Sequence, residues 1–190
     1  MPHPFDARPV IVAIAGPNGA GKSTFFEVFV KTAGLRFVNA DVIAKEAGIG
    51  PYEAAALAET VRTELVAQGE SFVFETVFSD QAGAKVAFLE DAVTRGYTVV
   101  LCFIGLDGAS TSDERVAMRV LQAGHDVPPN KVAGRYPRSL ANLRRAMKTL
   151  PFVWIYDNSD LSHPFRKLAE VEYGAVVRTW PPLPAWFDDP

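Results

Sequence analysis

The clearest chemistry in the sequence lies near the N-terminus, in residues with the types and spacing of a phosphate-binding loop. The pattern G-x-x-x-x-G-K-[ST] is matched at every fixed position by Gly16, Pro17, Asn18, Gly19, Ala20, Gly21, Lys22 and Ser23. Glycines at these positions allow successive backbone N–H groups to point inward at phosphate oxygens. We expect Lys22 to reach the β- and γ-phosphates of ATP, the Ser23 hydroxyl to bind Mg²⁺, and Thr24 to contact the α-phosphate. An ordinary tight turn is the alternative.

Four acids follow apolar segments that are typical of strands: Asp41, Glu75, Asp107 and Asp157. Because ligands bind at the carboxyl ends of parallel strands, we expect all four to lie on the ligand side of a sheet. Transfer of a γ-phosphate to a hydroxyl needs a group that accepts the hydroxyl proton, and Asp41 is our candidate for this base. The alternative role for Asp41 is the N-cap of a helix over residues 42–46.

Glu75 is expected to hold the acceptor molecule or to complete the magnesium shell, and its alternative role is an ion pair with a neighbouring arginine. For Asp107 and Asp157 we expect roles in turns or helix caps. Since the pattern of an apolar run followed by an acid occurs four times, the sequence does not single out the Walker B acid that accompanies a P-loop.

A strongly basic stretch follows these motifs in a chain whose formal net charge is −3. Between positions 115 and 148 a single acid, Asp126, accompanies eight cations: Arg115, Arg119, Lys131, Arg135, Arg138, Arg144, Arg145 and Lys148. Positive charge concentrated in this way favours a surface that meets an anion, and a solvated helix face is the alternative. We expect one arginine of the pair 115/119 and one of the pair 135/138 to contact phosphate, from a segment that closes over ATP.

The elements that position these residues alternate along the chain. Strands are predicted at Val10–Ala15, Arg36–Asn39, Ser71–Glu75, Tyr97–Ile104 and Phe152–Tyr156, and helices at Gly21–Ala33, Pro51–Gly69, Asp80–Arg95, 110–123 and Lys131–Lys148. This alternation predicts one three-layer α/β domain over residues 1–190, with a mostly parallel five-stranded sheet. We expect a helical lid over about 110–148 and a hairpin-like tail over about 163–190.

The composition limits the class of protein. No apolar run approaches the roughly 20 residues that span a bilayer, and Met1–Pro9 lacks the continuous apolar segment of an export signal. The single cysteine, Cys102, lies in an apolar run and is expected to be buried. Together with the negative net charge, these features predict a cytoplasmic protein that is neither membrane-bound nor a general nucleic-acid binder.

Taken together, the motifs resemble the zeta-toxin family, and in particular its small stand-alone members, often described as predicted ABC-type ATPases. The resemblance covers about residues 10–159. Beyond the loop at Gly16–Thr24, it rests on Asn39-Ala40-Asp41, Phe74-Glu75-Thr76, Gly124-His125-Asp126-Val127-Pro128, Arg135-Tyr136, Ser139-Leu140 and Tyr156-Asp157-Asn158-Ser159. It implies a kinase-like P-loop fold and phosphorylation of UDP-N-acetylglucosamine on the sugar, with an antitoxin as a possible partner.

By this resemblance Asp41 corresponds to the catalytic base, Lys22 to the phosphate lysine, and Arg115 or Arg119 to a phosphate-binding arginine. The acceptor would then meet Glu75, its neighbour Thr76 and Arg138, and Arg135 would face ATP. The chain departs from the family after Glu75, where Thr76-Val77-Phe78-Ser79 stands in place of a Gly-Thr-x-Arg run that grips the sugar nucleotide. A second phosphate arginine also has no certain counterpart, since His125 lies near its position.

Three functions are compatible with the sequence. The first is an ATP-dependent small-molecule kinase acting on a hydroxyl, with UDP-N-acetylglucosamine or a related sugar nucleotide as the expected acceptor. The second is a non-catalytic ATP-binding switch or ATPase module, which has no need of a base at position 41. The third is an RNA-directed kinase that uses the basic helix as a phosphate track, against which the net acidity of the chain argues.

Overall fold

A seven-stranded sheet runs through the computed structural model, which describes residues 3–112, 114–115 and 134–187. The strands are β1 (Val10–Ala15), β2 (Arg36–Val38), β3 (Phe72–Thr76), β4 (Thr98–Gly105), β5 (Phe152–Asp157), β6 (Arg166–Glu172) and β7 (Ala175–Thr179). Their order is β2-β3-β1-β4-β5-β6-β7. The first five are mutually parallel, whereas β6 and β7 pair antiparallel at one edge. Every residue of β1 is buried, as expected for the central strand of a parallel sheet.

The predicted count of five strands is wrong because the C-terminal hairpin joins the sheet. Tyr173 and Gly174 both have left-handed backbone angles, with φ values of 49° and 85°, which suit the tight turn of a two-residue hairpin. This turn allows β6 to return along β5, so the hairpin predicted for the tail extends the five parallel strands to seven.

The α-helices that flank the sheet include α1 (Lys22–Phe25), α2 (Ala40–Ala47), α3 (Pro51–Ala67), α4 (Ala84–Thr94) and α5 (Arg135–Thr149). The helical path of α1 continues as a π turn over Phe26–Val30 and a 3-10 turn over Lys31–Ala33, and it ends at Gly34. Residues 109–112 and 114–115 are also helical. No helix of the described residues is long and apolar enough to cross a membrane.

Two apolar cores lie on opposite faces of the sheet. On one face, buried residues of α3, α4 and α5 pack against the strands together with Trp186 and Phe187. On the other face, α1 and the turn that follows it contribute Phe25, Phe26 and Val30 to the second core, which also contains Cys102. The layers are therefore helix, sheet and helix, and the α/β architecture predicted from the sequence is confirmed.

The strand order decides where a ligand meets the sheet. Because β3 and β4 flank β1, the carboxyl end of β1 lies between those of its two parallel neighbours. The chain leaves β1 toward α1 and returns at β2, beyond β3. In α/β proteins, ligands bind in a crevice at the carboxyl ends of strands where the strand order changes direction in this way.

Candidate active site

The loop between β1 and α1 has the shape that its glycines predict. Gly16, Gly19 and Gly21 have φ values of 148°, 74° and 85°, a region that L side chains avoid. A Cβ atom at position 16 would lie 2.2 Å from the carbonyl oxygen of Ile104 on β4, so only glycine fits there. The loop leads directly into the first turn of α1 at Lys22. Backbone N–H groups at such a helix start are suited to bind phosphate.

Two buried side chains brace this loop from other parts of the chain. The Ser112 hydroxyl donates to the carbonyl oxygen of Asn18 at 2.6 Å, and the Asn158 amide donates to that of Ala20 at 2.9 Å. Asn158 also accepts from the backbone N–H of Phe165 at 3.2 Å. Neither residue was predicted as a site residue. The signal for Asn158 was its place in the Tyr156–Ser159 motif, whereas nothing in the sequence indicated Ser112.

The side chains at the start of α1 differ in their surroundings. The Lys22 ammonium donates to the carbonyl oxygens of Gly16 and Pro17, at 3.0 and 2.9 Å. Ser23 and Thr24 are exposed. The lysine therefore lies against the loop itself, and the two hydroxyl groups that follow are accessible from solvent.

Glu75, at the end of β3, meets the P-loop helix directly. The Ser23 hydroxyl lies 2.9 and 3.1 Å from its two carboxylate oxygens and donates to them. The side-chain amide of Asn39 donates to Oε1 of the same carboxylate. Among the described residues, Glu75 thus accepts hydrogen bonds from a serine and an asparagine. The alternative role of an ion pair with an arginine is not seen in this part of the chain.

Burial raises the pKa of Glu75 above its ordinary carboxyl value, and the nearby charge of Asp41 raises it further. The positive charge of Lys22 opposes this shift most strongly, followed by the hydrogen bonds from Ser23 and Asn39. Lys22 and Asp41 therefore both lie near enough to Glu75 to affect its ionisation.

Asp41 occupies the first turn of α2, and its side chain is exposed. The N-cap of this helix is Asn39, whose side-chain oxygen accepts from the backbone N–H groups of Asp41 at 2.7 Å and Val42 at 3.2 Å. The alternative interpretation of Asp41 as the helix cap is therefore wrong. Asn39 was quoted in the sequence motif only as a neighbour of Asp41, and its part in the site was missed.

Three of the predicted arginines lie within the described residues, and two of them have backbone contacts there. Arg115 donates to the carbonyl oxygen of Ser159 at 2.9 Å, next to the Asn158 that braces the P-loop. Arg138 donates through Nε to the carbonyl oxygen of Ser79 at 2.9 Å, on the loop that follows β3. Arg135 is the first residue of α5. Arg119 lies outside the described residues, as do His125 and Lys131.

The acids at the ends of β4 and β5 belong to turns. Asp157 accepts from the backbone N–H of Ser159 at 3.2 Å and from its hydroxyl at 2.5 Å, and its other oxygen lies 3.6 Å from Arg166. The backbone N–H of Asp107 donates to the Ser159 hydroxyl at 2.7 Å. The turn role expected for Asp157 is confirmed, and this turn places Asn158 against the P-loop.

The loop after β3 is held by helix α5. The Ser139 hydroxyl donates to the carbonyl oxygen of Val77 at 2.6 Å, and the Asn142 amide donates to those of Phe78 at 2.9 Å and Asp80 at 3.0 Å. Phe78 is buried with a φ of 60°, a conformation that costs energy in a residue other than glycine and persists only where its surroundings fix it. Thr76, predicted to bind substrate, accepts from the backbone N–H of Phe78 at 3.1 Å and so shapes the same loop.

The donor groups at this edge suit a hard cation that also binds phosphate. Ser23 and Glu75 offer a hydroxyl and a carboxylate within hydrogen-bond distance of each other, and Mg²⁺ is usually held by one or two such protein oxygens together with phosphates and water. Within the described ranges, no cluster of three or more His, Cys, Asp or Glu residues is able to hold a metal by itself.

A family model described as Zeta toxin matches residues 48–167, more than half of the 190-residue chain. The chain belongs to the zeta-toxin family. The matched segment begins after the P-loop and includes Glu75 and the Tyr156–Ser159 motif, so the resemblance noted in the sequence is confirmed. No curated protein matches the chain significantly.

Solved structures show the same fold at low sequence identity. A chain of the AvrRxo1-ORF1:-ORF2 complex with ATP matches at TM-score 0.66 and 19% identity, over 90% of this chain and 60% of that one. The PezAT chromosomal toxin-antitoxin system of Streptococcus pneumoniae matches at TM-score 0.57 and 19% identity, over 79% and 68%. Shikimate kinase from Acinetobacter baumannii in complex with shikimate matches at 0.52 and 19%, over 75% and 82%.

This zeta-toxin family member thus has the fold of P-loop kinases. It spans about 60% of the length of the AvrRxo1 chain that it matches.

Proposed function

We propose that this zeta-toxin family member is an ATP-dependent kinase that transfers the γ-phosphate to a hydroxyl of a small molecule. The observation that carries the proposal is the contact between Ser23 of the P-loop helix and Glu75 of β3, with Asp41 exposed on the adjacent helix. This arrangement brings a phosphate cradle, a carboxylate suited to a magnesium shell and a candidate base to one edge of the sheet.

ATP is proposed to bind with its triphosphate in the loop 16–23. Its backbone N–H groups and Lys22 would hold the β- and γ-phosphates, and Thr24 would face the α-phosphate. The Ser23 hydroxyl would hold Mg²⁺, and Glu75 would complete the shell directly or through water. When bound, the ion neutralises charge on the phosphates. The hydrogen bond between Ser23 and Glu75 keeps these two groups together before the ion arrives.

The role proposed for Asp41 is to accept the proton of the acceptor hydroxyl as the phosphate is transferred. A base must stand within hydrogen-bond reach of the attacking group, so it must be exposed to the crevice. In support of this role, Asp41 is exposed in the first turn of α2 and lies close enough to Glu75 to interact with it electrostatically.

Arginines are proposed to stabilise the charge that spreads over the γ-phosphoryl oxygens. Arg115 donates to the carbonyl oxygen of Ser159, next to the Asn158 that braces the P-loop, and this contact supports its assignment to the nucleotide. Arg119 and Arg135 are proposed for the same task from the sequence. Arg138 reaches the loop after β3, and we assign it to the acceptor together with Glu75 and Thr76.

For the acceptor we propose UDP-N-acetylglucosamine or a related sugar nucleotide, supported by membership in the zeta-toxin family. The segment Thr76–Ser79 contains no arginine, and Arg138 supplies a guanidinium to this loop from α5 instead. An antitoxin is proposed as a protein partner, because the AvrRxo1 chains and the PezAT system are described as complexes or as a toxin-antitoxin system.

The proposal is tested by incubating the protein with γ-labelled ATP, Mg²⁺ and a panel of UDP-sugars, nucleosides and small metabolites. We expect label on a sugar nucleotide, and we expect Asp41→Asn to retain ATP binding while transfer falls by roughly 10²–10⁴-fold, the range for loss of a general base. Asp91→Asn, which alters an exposed acid paired with Arg95 on α4, is the matched control and should transfer normally. Label found only as free phosphate, or full activity of Asp41→Asn, would contradict the proposal.

A further inference from the structure

Asn39 uses both ends of its side-chain amide, and it is almost completely buried. Its oxygen accepts from the backbone N–H groups of Asp41 and Val42, at 2.7 and 3.2 Å, and so caps helix α2. Its nitrogen donates to Oε1 of Glu75. Only 7% of the residue is exposed, so these contacts take the place of water.

The pairing of β2 with β3 explains why the two residues meet. Val38 is opposite Phe74 in the parallel register, so the next residues along each strand are Asn39 and Glu75. β2 ends at Val38 and α2 begins at Ala40, which leaves Asn39 as the single residue between them. The first turn of α2 is thereby attached to the end of β3 through one side chain.

The residue type follows from this double contact. Serine, threonine, aspartate and asparagine all cap helices well, because each offers an oxygen to the free N–H groups. Of these, only asparagine can accept from α2 and at the same time offer an N–H to a carboxylate from the same planar group. Aspartate at this position would cap the helix but would place a second negative charge against Glu75.

We propose that Asn39 is a positioning residue that sets the place of Asp41 relative to the P-loop. The connection runs from Ser23 to Glu75, from Glu75 to Asn39, and from Asn39 to the backbone of Asp41. It joins three segments of the chain that strand pairing also brings together. The inference rests on the proposed function, because it assigns the geometry of the base that this function requires.

The test uses substitutions that separate the cap from the contact with Glu75. Asn39→Ser keeps a capping oxygen, but its side chain is too short to reach the Glu75 carboxylate. Asn39→Asp also keeps a capping oxygen, but its negative charge repels that carboxylate. Tyr97→Phe is the control for stability, since it removes buried hydrogen bonds to the carbonyl oxygens of Leu65 and Glu70 at the opposite edge of the sheet.

Transfer from γ-labelled ATP to UDP-N-acetylglucosamine is measured together with the unfolding free energy of each variant. We expect kcat to fall by roughly 10²-fold in Asn39→Asp, as for a misplaced catalytic group, with the KM for Mg-ATP changing less than about threefold. Tyr97→Phe should lose stability without this fall in kcat. Asn39→Asp/Glu75→Gln should be no slower than Glu75→Gln alone, because glutamine can donate to the new aspartate.

A second measurement keeps the inference independent of the kinase assay. In a double-mutant cycle on stability, the effects of Asn39→Asp and Glu75→Gln should be clearly non-additive, since the two side chains are in contact. Additive effects, or a kcat of Asn39→Asp equal to that of the wild type, would overturn the role of Asn39. Absence of any label transfer by the wild type, with the stability coupling present, would instead overturn the proposed function.

Discussion

Residues 16–24, which we propose to bind the nucleotide, obtain their backbone shape from consecutive positions in the chain. The side proposed for the acceptor instead brings Asn39, Asp41, Glu75 and the loop 76–80 together from separate segments. The glycine angles and the helix start at Lys22 are properties of the loop itself. The hydrogen bonds of Glu75 instead come from Asn39 and Ser23, which precede it in the chain by 36 and 52 positions. The backbone shape of the loop is thus set by the local sequence and braced by Ser112 and Asn158, whereas the arrangement of Asp41 and Glu75 depends on the tertiary fold.

The largest effect is expected from a substitution in the loop 16–24, namely Lys22→Ala. This substitution removes the cation that we assign to the β- and γ-phosphates, so Mg-ATP binding or turnover should be abolished. Binding is measured by calorimetry, with Lys31→Ala as the matched control, since Lys31 lies farther along the same helical path in an exposed pair with Glu27. Undiminished affinity in Lys22→Ala would show that the loop is not the phosphate site.

A smaller effect is expected from the side chains that brace the P-loop and the loop after β3. Asn158→Ala leaves the carbonyl oxygen of Ala20 without its donor, and a buried group in that state costs about 1–3 kcal/mol. We expect lower stability and weaker Mg-ATP binding, measured by denaturant unfolding and calorimetry.

Asn142→Ala is the counterpart on the acceptor side, because this asparagine is similarly buried and donates to the loop after β3. It should lose similar stability but raise the KM of the acceptor rather than that of ATP. Equal weakening of ATP binding by Asn158→Ala and Asn142→Ala would show that the P-loop and the loop after β3 do not act separately.

The sequence was sufficient for the loop 16–24 and for the five parallel strands of the sheet. The buried run at β1, the glycine pattern and the acids at strand ends predicted the loop, Asp41 and Glu75 at the positions where the structure has them. It was not sufficient for Asn39, Ser112, Ser139 and Asn142, because a polar side chain gives no sign of which distant backbone group it will meet. The hairpin was predicted, but its pairing with β5 was not, since strand pairing between separate segments leaves no periodic signal.

The smallest effect concerns the pH dependence of stability. Because the pKa of Glu75 is raised in the folded protein from an ordinary value of 4.5, its carboxylate binds a proton more readily when folded than when unfolded. Stability should therefore fall as the pH rises from below 4.5 to above the folded pKa. Glu75→Gln removes this ionisation and should be more stable than the wild type at pH 7, with the difference shrinking toward pH 4.

Unfolding curves of both proteins between pH 4 and pH 8 check this expectation. If the difference in unfolding free energy between Glu75→Gln and the wild type were constant across this range, or grew toward acid pH, burial would not be raising the pKa of Glu75.

A crystal structure grown with Mg²⁺ and a non-hydrolysable ATP analogue would show directly where the triphosphate binds. We expect the triphosphate within the turn at Gly16–Ser23, the ion on the Ser23 hydroxyl with Glu75 in its inner or outer shell, and Asp41 facing the γ-phosphate. A triphosphate bound elsewhere, with this turn holding no phosphate, would contradict this expectation.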